Sequence, residues 1–108
     1  MGNNQGAVGH FKDAVSLNPG SVQSNFYLGL TLMEVERYVE ACEVFETVVQ
    51  VKPDFADVHF MLGNLYTEKI KDSDKAISHL KKAEKLFIKL DDNLHLSHVR
   101  QILIRHHV

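Results

Sequence analysis

The chain has 108 residues, 44% of them hydrophobic and 24% charged, with six Gly and two Pro, which fits one folded, mostly helical domain over 1–108 and excludes collagen-like or low-complexity chains. A net charge of −2 lacks the basic excess that nucleic acid demands, and no apolar run approaches the roughly 18 residues needed for membrane insertion. The single cysteine, Cys42, excludes an internal disulfide framework and points to a reducing, cytoplasmic setting.

Helical periodicity runs along the chain and no strand-like alternation persists. Residues 1–5 read as a polar lead-in without the apolar core of a signal peptide. Ala7, Phe11, Ala14, Val15 and Leu17 place an apolar stripe on a first helix, ended by Asn18-Pro19-Gly20, because proline cannot continue the backbone ladder. Ser21 fits the N-cap of a second helix carrying Phe26, Tyr27, Leu28, Leu30, Leu32 and Met33. The chain turns near Glu36-Arg37 into a third helix, with an inner face of Tyr38, Ala41, Cys42, Val44, Phe45, Val48 and Val49 that stops at Pro53-Asp54. A fourth helix runs through Val58, Met61, Leu62, Leu65 and Tyr66 to a turn at Lys71-Asp72-Ser73-Asp74. A fifth starts about Lys75 and carries Ala76, Leu80, Ala83, Leu86, Phe87 and Leu90. A last amphipathic helix holds Leu96, Val99, Ile102 and Leu103.

Pro19 and Pro53 lie 34 residues apart, each closing the same pattern: Ala7, Phe11, Ala14, Pro19 against Ala41, Phe45, Val48, Pro53. A fixed period of that length marks a repeat array. The chain resembles the tetratricopeptide repeat (TPR) family. Residues 22–55 match its pattern at Leu28, Gly29, Tyr38, Ala41, Phe45 and Pro53, with Leu32 where an aromatic is common, and residues 56–90 repeat it at Leu62, Gly63, Tyr66, Ala76, Leu80 and Ala83. The recurring Leu-Gly has a physical reason, since helices approach closely only where a residue lacks a side chain. Phe45 and Leu80 are expected to fill the space between successive repeats.

The resemblance implies an all-α, right-handed helical-hairpin solenoid: residues 6–20 as the second helix of a partial repeat, 22–55 as a full repeat, 56–90 as a full repeat with one inserted residue, and 92–107 as a capping helix. Several features depart from the pattern. Asn25 and His59 stand where the family often has Trp, so looser packing is expected there. Ala76 follows Ala41 by 35 residues, which places the extra residue in the inter-helix turn. Ile88 replaces the final Pro, so the fifth helix should run on by a turn. The first unit holds only a second helix, so Phe11, Val15 and Leu17 need a cover: the rest of a longer TPR protein of which this chain is a fragment, a second copy, or a swapped C-terminal helix.

In such arrays the concave surface carries function. The resemblance assigns groove positions to Gln23, Phe26, Leu30, Met33 and Glu34, then to Asp57, Phe60, Asn64, Thr67 and Glu68. Aromatic, Leu and Met side chains flanked by acids suit an apolar or basic peptide, or a helix, of a partner protein, in an adaptor or scaffold role. The alternative reading makes Phe26 and Phe60 part-buried packing residues. The family's carboxylate clamp needs cations; Asn64 fits one clamp position, but Gln23, Phe26, Asp57 and Phe60 stand where lysines would be required, which argues against that function. The alternative is a homo-oligomeric structural element, or a domain swap, assembling through Phe11, Val15 and Leu17 or through the C-terminal helix. Residues 1–54 carry three bases against seven acids, net −4, and residues 55–108 carry nine against seven, net +2, a polarity suited to head-to-tail contact.

Catalytic and metal readings find little support, and no enzyme, metal or cofactor is expected. His95, His98, His106 and His107 with Asp91 and Asp92 offer zinc-type donors but none of the ligand spacings of a zinc motif. His10, His59 and His79 are read as solvent-facing or at the groove edge. Cys42 reads as a buried thiol. Lys69, Lys71, Lys75, Lys81, Lys82, Lys85 and Lys89 form a basic stripe, read as a solvated outer face.

Overall fold

The computed structural model describes residues 3–107, with side chains from residue 6 onward. Met1 and Gly2, the start of the expected lead-in, lie outside the described residues, as does Val108. Among the described residues the chain holds six α-helices, one π-helical turn and no strand, and it divides after Pro53 into two compact units.

The first unit carries α1 (Asn3–Leu17), α2 (Val22–Glu34) and α3 (Tyr38–Val51). α1 starts inside the expected lead-in. It buries Val8, with Phe11, Ala14 and Val15 half-buried on the same side. Leu17 is 88% exposed, which corrects the expected stripe: nine residues beyond Val8, it sits half a turn round the helix. Ser21 caps α2 as expected, its Oγ accepting from Ser24 N–H at 3.1 Å. α2 ends when Glu36 turns left-handed at φ 62°, Arg37 N–H donating to Leu32 O at 2.8 Å and Glu36 N–H to Met33 O at 3.0 Å.

That turn folds α3 back onto α2. A Cβ on Gly29 would lie 2.5 Å from the Phe45 ring, so the glycine is what admits this phenyl to full burial. Phe45 thus packs inside the α2–α3 pair, where the sequence reading had placed it between repeats. Ala41, Cys42, Val48 and Val49 complete the buried face of α3. Asn25, at the Trp position, is not loosely packed. It is buried, and its Nδ2 donates to Pro19 O at 2.9 Å and Ser21 O at 2.8 Å, so an amide tied to its own backbone replaces aromatic bulk.

The second unit carries α4 (Ala56–Leu65), the π turn Tyr66–Ile70, α5 (Ser73–Lys89) and α6 (Asn93–Arg105). The extra residue, expected in the connecting turn, is taken up by the π turn at the end of the first helix. The connection itself keeps the form seen in the first unit. Lys71 is left-handed at φ 65°, and Asp72 caps α5, its Oδ1 accepting from Lys75 N–H at 3.2 Å. A Cβ on Gly63 would lie 2.5 Å from Leu80 Cγ and Cδ2, repeating the Gly29–Phe45 arrangement with an aliphatic partner. His59, at the second Trp position, is buried rather than solvent-facing. Its Nδ1 lies 3.1 Å from Nδ1 of the half-buried His79, whose ring stacks on Tyr66 at 5.8 Å.

Without a proline at Ile88, α5 runs 17 residues against 14 in α3, as the sequence predicts. A left-handed Asp91 at φ 56° ends it, with Asp92 N–H donating to Phe87 O at 3.0 Å. Asp92 then caps α6, which buries Leu96, Val99, Ile102 and Leu103, the four residues expected of it.

Candidate functional site

In the first unit the groove positions lie along α2. Phe26, Leu30 and Met33 are half-buried at i, i+4 and i+7, one row on one helical face, and Gln23 and Glu34 are exposed at its ends. Phe26 packs its ring 6.2 Å from Phe45 and 5.8 Å from Tyr27, so the row rests on the core of the pair. Between α1 and α2 lies a cavity of about 290 Å³, lined by His10, Phe11, Ala14, Gln23, Ser24 and Tyr27. Phe11 and Tyr27 stack across it at 5.7 Å, with Tyr27 43% exposed. Sequence reasoning named Tyr27 only among the apolar residues carried by the second helix and missed this cavity, because it belongs to the space between two helices. Beside it, Glu40 accepts from Arg37 Nε at 2.6 Å and Nη2 at 2.7 Å, and takes Lys12 Nζ at 3.5 Å. The Arg37 hydrogen bonds hold the Glu40 carboxyl below the usual range and raise the guanidinium in turn.

In the second unit α6 takes up much of the expected surface. Phe60 is half-buried, its ring 6.3 Å from Phe87, 6.2 Å from His95 and 6.5 Å from a stacked His98. Thr67 Oγ1 lies 2.7 Å from His106 Nε2, and Arg105 donates to Glu68. Of the five expected residues only Asp57 and Asn64 stand exposed and outside these α6 contacts. Three of the four histidines that offered zinc-type donors touch neighbouring side chains: His95 meets Phe87 and Asp92, the exposed His98 meets Phe60, and His106 meets Thr67. Nothing in the sequence pairs a helix with an earlier one at this distance, so these contacts were not legible there. Asp92 accepts from His95 N–H at 3.1 Å and from His95 Nδ1 at 2.7 Å; the backbone bond above all holds its carboxyl below the ordinary range.

Lys75, Lys81, Lys82, Lys85 and Lys89 are exposed along α5, with the Lys75 ammonium 5.6 Å over the Tyr66 ring. No described helix is long and apolar enough to cross a membrane.

Residues 56–87 match the tetratricopeptide repeat family model. That segment is a tetratricopeptide repeat. The chain's fold class is the family's all-α helical-hairpin solenoid, as the solved structures similar to it bear out. MamA of strain AMB-1 is 27% identical, with a TM-score of 0.72 over 78% of this chain and 49% of that one. YrrB, a TPR protein with an unusual peptide-binding site, is 26% identical, with a TM-score of 0.76 over 91% of this chain and 48% of that one. MamA from Desulfovibrio magneticus RS-1 shares the fold at 22% identity and a TM-score of 0.65, over 96% of this chain and 64% of that one. The chain spans about half the length of the first two. No curated protein matches the chain significantly. Family and fold together support a protein-interaction module.

Proposed function

We propose that the chain holds a peptide or a helix of a partner protein on the first helix of a pair, acting as adaptor or scaffold. The observation that carries this is the half-exposed row Phe26, Leu30 and Met33 on α2, one apolar strip backed by Phe45 and bordered by Glu34. Such a strip suits an amphipathic ligand with apolar anchors one helical turn apart and a basic residue toward Glu34. In the second unit Asp57 and Asn64 stand exposed on α4, while Phe60, Thr67 and Glu68 support α6. The peptide-binding site in the name of YrrB supports the reading by likeness.

A peptide library selected on the immobilised chain, followed by titration of the winning sequence by fluorescence anisotropy, tests it. Leu30→Glu and Met33→Glu should each weaken binding by about tenfold or more while circular dichroism stays unchanged. Unaltered affinity in both variants sinks the proposal.

A further inference from the structure

α5 turns five exposed lysines to solvent, Lys75, Lys81, Lys82, Lys85 and Lys89, on the side away from its buried Ala76, Leu80, Ala83 and Phe87. They cover about a third of the helix circumference and about 21 Å of its length. The Lys75 ammonium lies over the Tyr66 ring, while Lys81, Lys82, Lys85 and Lys89 make no ion pair among the described residues. Glu84 of the same helix is spent on Arg100 at 3.1 Å, so Asp74 at the start of the stripe and Asp91 just past its end are the exposed acids nearest to it in the chain. Lys81, Lys85 and Lys89 follow one another at four-residue spacing, where like charges repel, and the helix carries them against its own stability.

This face does not owe its exposure to the end of the sequence. α1 and α5 share one register, with Ala7, Phe11 and Ala14 at the positions of Ala76, Leu80 and Ala83. α1 is followed by a whole pair: it packs on α2, and its Lys12 reaches Glu40 of α3 at 3.5 Å. Even so, Gly6, Lys12, Asp13 and Ser16, which match Lys75, Lys81, Lys82 and Lys85, are all exposed. The outer face of such a helix therefore stays open when another pair follows it.

The chemistry of the stripe selects its occupant. Ser78 lies among the lysines, and Ile88, 53% exposed, continues the row of Lys81 and Lys85 at its end. A protein partner binds through apolar anchors near the centre of the contact, which this face lacks, and an exposed lysine paired with one carboxylate adds little. A layer of anionic headgroups acts on all the lysines at once, and lysine stems beside one aliphatic side chain suit its boundary. We infer that the α5 lysine face rests on an anionic lipid surface, with Lys81, Lys82, Lys85 and Lys89 against the headgroups and Ile88 at the edge of the contact. No described helix can cross a bilayer, so this attachment is peripheral, and it weakens with salt. It uses none of the side chains of the peptide-binding row.

Co-sedimentation with vesicles tests it. The intact chain should bind vesicles of phosphatidylcholine and phosphatidylserine in equal parts at low salt, leave them as salt rises, and ignore phosphatidylcholine alone. Lys81→Gln and Lys85→Gln together should lower partition by about tenfold or more. Ser97→Glu with Gln101→Glu, at exposed positions of α6, makes the same change in net charge and should leave binding nearly intact. Thermal melting verifies that both double variants are folded. Failure to bind the mixed vesicles overturns the inference, as does an equal loss in the two double variants, which would make overall charge the cause. Capture by polyglutamate without vesicle binding overturns it in favour of an acidic protein. None of these outcomes bears on peptide affinity, which stands or falls on Leu30 and Met33.

Discussion

The two helical pairs solve one packing problem with different chemistry. In α2–α3 a glycine admits a phenyl ring; in α4–α5 the matching glycine admits a leucine. At the position where the family favours Trp, Asn25 binds its own turn, whereas His59 reaches across to His79 on the facing helix. The first pair connects through a regular helix end at Glu36, and the second absorbs an additional residue in a π turn before Lys71 repeats the same left-handed step. What the pairs share is therefore the spacing of close approach, and what they vary is whatever fills or closes it. A repeat of this kind tolerates an insertion because a π turn lengthens the helix end without moving the glycine or the turn that follows.

The sharpest way to break this parallel is to fill the two glycines. Gly29→Ala and Gly63→Ala should each destabilise the chain by about 1–3 kcal/mol, as overpacking does. Gly29→Ala should cost more. A buried phenyl has no alternative placement in the pair, while Leu80 can change rotamer. Chemical denaturation with circular dichroism would rank them, and the reverse order would show that the aliphatic pair is the less adaptable.

A smaller effect of opposite sign is expected at the helix ends. Glu36, Lys71 and Asp91 hold left-handed backbone that glycine adopts without steric penalty. Glu36→Gly and Lys71→Gly should raise stability by about 1 kcal/mol each. Equal gains in thermal melting would confirm that the two connections are equivalent despite the π turn; a gain at Glu36 alone would separate them.

The smallest effect concerns acid and, in the second unit, arises at the turn between α5 and α6. Asp92 has its carboxyl held below the ordinary range, chiefly by the His95 backbone N–H. A group with a depressed folded value contributes stability above its unfolded pKa, about 3.9, and loses it as pH falls through the folded value. Melting of the chain should therefore fall on acidification below about pH 4, and Asp92→Asn should flatten that part of the profile. An unchanged profile in the variant would show that this cap does not report in the acid range.

Much of this was legible in the residues. The helices, the cap at Ser21, the turn at Glu36-Arg37 and the overrun at Ile88 all follow from local chemistry: a hydroxyl that accepts from backbone, a proline present or missing, a stripe at helical spacing. The glycines were legible too, although their partners were misplaced. A side chain's register along a helix does not say which of two neighbours it meets, and Phe45 meets Gly29. Leu17 was read onto the α1 stripe because it is apolar and near, while Val8 carries the buried side. The candidate site divided in the same way. Phe26, Leu30 and Met33 form a row because their spacing makes one, but the contacts of Phe60, Thr67 and Glu68 with α6 involve residues about 40 positions away, beyond the reach of any periodicity.

By itself, then, the sequence determined the helices, their ends and the points where two of them come closest, because each depends on residues within a turn or two or on the absence of one side chain. Tertiary structure alone decided which surfaces remain. The α1–α2 cavity, the coverage of Phe60 by α6 and the bare Leu94 and Ile104 all depend on which helix lies beside which, and an apolar side chain looks the same in sequence whether a neighbour covers it or not.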